Sequence, residues 1–231
     1  MKEKKEATLT ESGWTASRLH LLLLLFLEAL MAAELIALVR SGQFMHAFIT
    51  ILLMFLIALP AVFRSRLEVA IPSELQIFAT LFIFATLFLG EVRDYYFRFW
   101  WWDLALHGTA GVLLGLFGFL FVYLVNENEM VDVSMRPSFV ALFAFFFSVG
   151  AGAIWEIFEF AMDQIFGLDM QKAMFGDPSG LTDTMWDLIV DTIGAALMSG
   201  LGYLYMRRAR RERTDHWLRR WVERHPKLFD P

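Results

Sequence analysis

Apolar residues in this chain fall in long, nearly unbroken runs, with polar residues gathered between them. About 20 apolar residues in helical conformation cross the hydrocarbon layer, where only a helix or a closed barrel satisfies its own backbone. Such runs lie at 17–39, 44–63, 74–92, 103–125, 138–160 and 183–206. They predict an all-α, polytopic transmembrane bundle of six helices forming one domain over 17–206. Pro60, Arg64, Ser65, Arg66 and Pro72 mark one intervening turn, and residues 126–137 a second. Gly176-Asp177-Pro178-Ser179-Gly180 mark a third, with Thr182 the expected N-cap of the last helix. Residues 1–16 are polar, mixed in charge and without a periodic apolar face, which predicts a partly disordered cytoplasmic lead-in. The first apolar run is too long and too acidic (Glu28, Glu34) for a signal-peptide core.

Charge orients the bundle. Residues 207–231 hold nine Lys/Arg against four acids, although the chain as a whole carries −5. With that tail inside and six spans, both termini are cytoplasmic. Sixteen basic residues then lie inside, and only Arg40, Arg93, Arg98 and Lys172 outside. The N-in/C-in topology follows. The tail places Trp217, Leu218, Trp221 and Val222 among arginines, the pattern of an amphipathic helix on anionic inner-leaflet lipids rather than a nucleic-acid site. Tyr95, Tyr96, Phe97 and the run Phe99 to Trp102 form an aromatic belt at the outer interface.

Composition narrows the chemistry. Hydrophobic residues are 58% of the chain and charged residues 19%, too apolar for an ordinary soluble domain. There is no cysteine, which excludes thiol catalysis, thiolate metal ligation and disulfides. Against this background the intramembrane acids stand out. Asp183, Asp187 and Asp191 recur at i, i+4 and i+8 in the last run, drifting about 40° per step over ~12 Å of helix. Each costs roughly 2.5–3.5 kcal/mol at mid-depth. Asp103 and His107 open the fourth helix, and Glu156, Glu159 and Asp163 close the fifth. In the assigned topology, helices running in opposite directions deliver all of these to the outer half of the bilayer. Buried carboxylates require protons, water or cations. Asp, Glu and His at such spacings suit a divalent ion such as Mg, Mn or Zn. The bland alternative is a satisfied polar network that fixes helix packing. Gly108, Gly111, Gly115 and Gly118 read as packing positions.

The stretches Trp101-Trp102-Asp103-Leu104-Ala105-Leu106-His107-Gly108, Trp155-Glu156-Ile157-Phe158-Glu159-Phe160 and 176–195 resemble the YjdF-like bacterial inner-membrane proteins. A looser similarity links them to VanZ-like membrane proteins, which share a D-x3-H helix and a late acidic helix ending in a Gly-Ala step. The resemblance spans about 20–206 and implies a multi-pass protein of the bacterial inner membrane. It places Asp103, His107, Glu156, Glu159, Asp183 and Asp187 at motif positions and implies no particular reaction.

Three function classes remain. A metal-dependent intramembrane hydrolase or transferase would act on a lipid or lipid-linked substrate at the outer leaflet. It would use His107, Glu156, Asp187 and Asp191 as metal ligands, Asp103, Glu159 and Asp183 as catalytic residues, and no organic cofactor. A cation or proton transporter would use the carboxylates as a relay, although the inner halves of helices four to six offer no polar continuation. A non-catalytic assembly or partner-binding protein would need the cluster only for architecture.

Overall fold

Every regular element among the described residues is a helix, the form in which long apolar runs satisfy their own backbones. In chain order they are α1 (Lys2–Arg40), α2 (Phe44–Val62), α3 (Ser73–Ile83) continuing as a π-helix (Phe84–Val92), α4 (Tyr95–Arg98), α5 (Trp102–Glu127), α6 (Pro137–Phe166) and α7 (Leu181–Glu212). This computed structural model describes residues 2–62, 73–127 and 135–212. The turn at Arg64, Ser65, Arg66 and Pro72, most of the turn at 126–137 and the amphipathic tail face from Trp217 to Val222 lie outside the described residues.

Two expectations are refined. The first apolar span, Arg18–Arg40, agrees with the run at 17–39, and the helix that carries it starts earlier, at Lys2. The segment Lys2 to Ala7 is rich in Lys, Glu and Ala, all strong helix formers, so it extends the ladder of the apolar run behind it. The six runs are also unequal. Four helices are long and apolar enough to span, at Arg18–Arg40, Trp102–Val122, Pro137–Phe166 and Leu181–Arg208. The stretches Phe44–Leu59 and Gln76–Val92 are shorter apolar helices. The helix that carries the first, α2, has 19 residues and reaches about 28 Å at 1.5 Å per residue, against a layer of about 30 Å.

The described residues fall into two compact units, one up to Tyr95 and the other from Tyr96 to Glu212. Each buries its own core. In the first, Leu24, Leu27, Met31 and Leu38 form a helical stripe on α1 that meets Leu53 and Ile57 of α2 and Phe84, Phe88 and Val92 of the π-helix. Arg93 follows the π-turn, its N–H donating five residues back to Phe88 O at 2.9 Å, and its guanidinium pairs with Glu34 at 2.7 Å.

The second unit is built on α5, α6 and α7, each packed against the other two. One end is apolar, with Phe119, Val122, Val140, Ala144 and Met206 buried together. The outside is apolar as well: Phe121 is 61% exposed, Phe146 61% and Ile157 67%, whereas Asp187 is 0% exposed. A water-soluble domain reverses that arrangement. The chain is a membrane protein with several apolar helices.

Glycine sets the approach of α5 to α7. A Cβ on Gly111 would lie 2.5 Å from Asp191 O, and one on Gly194 would lie 2.5 Å from Gly108 O and 2.9 Å from Val112 N. The backbones touch at this crossing. Lipid tails are as apolar as leucine, so such contact, not exclusion of water, holds the helices together.

Candidate functional site

At the other end of the second unit, the start of α5, the end of α6 and the start of α7 come together. Their polar residues converge as the sequence spacing predicts. His107, one turn into α5 from Asp103, is at the centre. Its Nδ1 faces Asp191 Oδ2 at 3.4 Å and Glu156 Oε1 at 3.7 Å, while Nε2 faces Asp103 Oδ1 at 3.8 Å. His107, Glu156 and Asp187 present ligand atoms all within 4.8 Å of one another, and so do Asp103, Asp183 and Asp187. Asp187 belongs to both sets.

Burial makes the arrangement costly. Glu156 is 4% exposed, Asp183 1% and Asp191 2%. Both carboxylate oxygens of Glu156, both of Asp187 and one each of Asp183 and Asp191 are buried without a hydrogen-bond partner among the described residues. A carboxylate so placed loses hydration without compensation, which is tolerable only if something else neutralises it.

The remaining predicted residues have hydrogen-bond partners of their own. Glu159, also buried, accepts from Trp155 Nε1 at 2.9 Å and belongs to neither ligand set. Asp163 accepts from the backbone N–H of Met170 (2.8 Å) and Gln171 (2.9 Å), shaping the loop after α6. That loop leaves α6 through Gly167 in the left-handed region (φ 64°). It returns across the end of α7: Gln171 Nε2 donates to Thr184 Oγ1 at 2.7 Å, and Lys172 N–H donates to Asp183 Oδ2 at 2.7 Å. Asp183 therefore has one oxygen committed to the loop and one left buried in the cluster. The Lys172 ammonium donates to Asp169 O and lies over the rings of Tyr96 and Phe97.

The cap of α7 differs from expectation. The helix starts at Leu181, one residue before Thr182. Asp177 takes the capping role, accepting from Ser179 N–H (2.9 Å), Thr182 N–H (3.1 Å) and the Thr182 hydroxyl (2.7 Å). Thr182 is thus a donor to the cap. Hydrogen bonds from Ser179, then from Thr182, hold the Asp177 carboxyl well below the usual range.

Two supporting residues escaped the sequence reading. Gly152 lies one turn before Glu156 on α6, and a Cβ there would collide with the Asp191 carboxylate. Ser148, another turn back, donates to Gly111 O at 2.8 Å and ties α6 to the α5–α7 crossing. The signal was a stripe of small polar and glycine residues, Ser148 and Gly152, at helical spacing from Glu156.

No solved structure matches the chain. A Thermotoga maritima protein described as uncharacterized is similar, 28% identical over 144 residues that cover 62% of this chain and 69% of that protein. A family model spans almost all of the described helices, both ligand sets included. Matched over residues 20–208, the chain belongs to the family described as predicted membrane protein (DUF2238).

Proposed function

We propose that this protein binds a divalent cation through His107, Glu156 and Asp187 and is a metal-dependent intramembrane hydrolase or transferase. Its substrate is a lipid or lipid-linked compound reached from the outer leaflet of a bacterial inner membrane. The observation that carries the reading is the set of four buried oxygens on Glu156 and Asp187 that have no hydrogen-bond partner among the described residues, one from each residue lying with a His107 nitrogen within 4.8 Å of one another. Donors about 2.1 Å from a cation lie about 3.0–3.4 Å from one another. The 3.7 Å between His107 Nδ1 and Glu156 Oε1 is within a few tenths of that spacing.

His107 suits the role in its orientation too. Nδ1 faces Glu156 of the ligand set at 3.7 Å, and Nε2 lies 3.8 Å from Asp103 on the other side of the ring. A cation held here would supply Lewis acidity and an acidified water. Asp191, 3.4 Å from Nδ1, is the hydrogen-bond partner of the imidazole where no cation is bound and a further carboxylate at its edge, and Asp183 and Glu159 are the nearby carboxylates available for proton transfer. The YjdF-like motifs coincide with these residues. In this reading the chain spans the membrane six times with both termini inside, and the basic tail rests on anionic lipids of the inner leaflet.

The transporter reading has less support. Below Asp191 the second unit closes into the apolar cluster of Phe119, Val122, Val140, Ala144 and Met206, which offers no relay among the described residues.

The test is elemental analysis of detergent-purified protein equilibrated with trace Mg, Mn and Zn. Wild type should retain stoichiometric metal at neutral pH and release it on acidification, because protons compete for the ligands. Asp187→Asn should lower occupancy at least tenfold, and Asp163→Asn should not. Wild type free of metal throughout would leave the architectural network as the better account.

A further inference from the structure

Asp187 belongs to two ligand sets, and its carboxylate has both oxygens buried and unpartnered. One cation satisfies the set of His107, Glu156 and Asp187. It leaves the second set, in which Asp103 and Asp183 have ligand atoms within 4.8 Å of each other and of one on Asp187. Asp183 is the informative member. Its Oδ2 is committed to Lys172 N–H at 2.7 Å, which holds the carboxylate in place, while Oδ1 is buried in the cluster with no donor.

We propose that the site takes two divalent cations bridged by Asp187. His107 and Glu156 complete one position, and Asp103 and Asp183 complete the other.

Charge balance points the same way. The carboxylates of Asp103, Glu156, Glu159, Asp183, Asp187 and Asp191 gather around one imidazole. With all six ionised around a neutral His107, one divalent ion would leave an excess of roughly four negative charges and two ions would halve it, while any carboxylate that takes a proton lowers that excess. Water-filled solvation is not an equal remedy where Asp187 is fully buried. A bridging carboxylate with one oxygen on each ion is compatible with ions about 3.5–4 Å apart, the separation of two-metal sites.

Such a pair has a preferred ligand. Two ions at that spacing hold two oxygens of one phosphoryl group, so the substrate class becomes a lipid carrying a phosphate or diphosphate ester. This also answers a difficulty in the cluster, which holds no arginine to bind phosphate: the two cations take that task. The exposed rings of Trp100, Phe175 and Trp186, in contact at centroid distances of 6.1 and 6.2 Å, with Trp186 next to Asp187 in the chain, offer an apolar surface for the chain of such a lipid.

The inference rests on the cation reading above, and one experiment separates the two. Full-length protein in detergent is stripped with chelator and titrated with Mn²⁺; bound metal is counted by elemental analysis and its electron spin resonance recorded. Two Mn²⁺ per chain with an exchange-coupled spectrum are expected. Asp103→Asn should reduce the count to one and restore the hyperfine pattern of an isolated ion. Asp183→Asn should do the same, and serves if Asp103→Asn does not fold. One uncoupled Mn²⁺ in wild type overturns the bridged pair and leaves the single-cation reading intact. Two uncoupled Mn²⁺ overturn the bridge. No bound Mn²⁺ overturns both.

Discussion

The crossing of α5 and α7 makes a prediction that links packing to the site. In Gly194→Ala the new Cβ would stand 2.5 Å from Gly108 O and 2.9 Å from Val112 N, both backbone atoms of α5 that cannot turn aside. Ordinary contact begins at 3.4 Å, so the helices must part there by roughly 0.9 Å. Overpacking of this kind costs about 1–3 kcal/mol. For a chain of this size that corresponds to a fall in Tm of roughly 2–12 °C. The displacement reaches the cluster, because Asp191 lies one turn from Gly194. Its 3.4 Å separation from His107 Nδ1 would open beyond hydrogen-bond range. Gly200→Ala is the control: it lies on the same helix, and a Cβ there meets nothing within 4 Å. That variant should hold or raise Tm, since alanine favours a helix over glycine by about 1 kcal/mol. Tryptophan-fluorescence melting in detergent, with Mn²⁺ titration of each variant, reads both effects. Gly194→Ala with wild-type Tm and wild-type Mn²⁺ affinity would refute the close crossing and its coupling to the site.

Other expectations follow from individual contacts. Asp163→Asn loses one of the two acceptors for Met170 and Gln171 N–H, so hydrogen exchange at those amides should rise at least fivefold while metal occupancy changes less than in Asp187→Asn. An unchanged exchange rate would remove Asp163 from loop control. The Asp177 carboxyl titrates below its unfolded value, so its contribution to the turn is fully present above about pH 3.8 and disappears as pH falls through its lower folded value. Exchange of the Ser179 and Thr182 amides, corrected for intrinsic rate, should therefore stay slow at mildly acidic pH, and fast exchange near about pH 5 would contradict that sign. Reporters fused after Pro231 should score inside and reporters within 168–180 outside; a C-terminal reporter found outside would reverse the assigned orientation.

Much of this protein is legible in its sequence because the membrane imposes a simple rule. Long apolar runs must become helices, so the all-helical fold and the positions of its apolar helices can be read directly, to within a few residues. The site was legible for a related reason. Acids at i, i+4 and i+8 in an apolar helix are so costly that they must share a place, and the spacing of Asp103, His107, Glu156, Asp183, Asp187 and Asp191 assigns them to one end. Periodicity says nothing about contacts between segments. That is why the division into two compact units, the continuation of α1 back to Lys2 and the π-turn before Arg93 emerged only from the folded chain. The same limit hid the partners of Asp163 and Asp177, whose carboxylates hold loop backbone rather than the cluster. It also hid Gly152, which makes room for Asp191 from a neighbouring helix. Which side chains line a site depends on helical spacing, a one-dimensional property; which of their oxygens stay unpaired depends on how three helices approach, and only tertiary packing decides it.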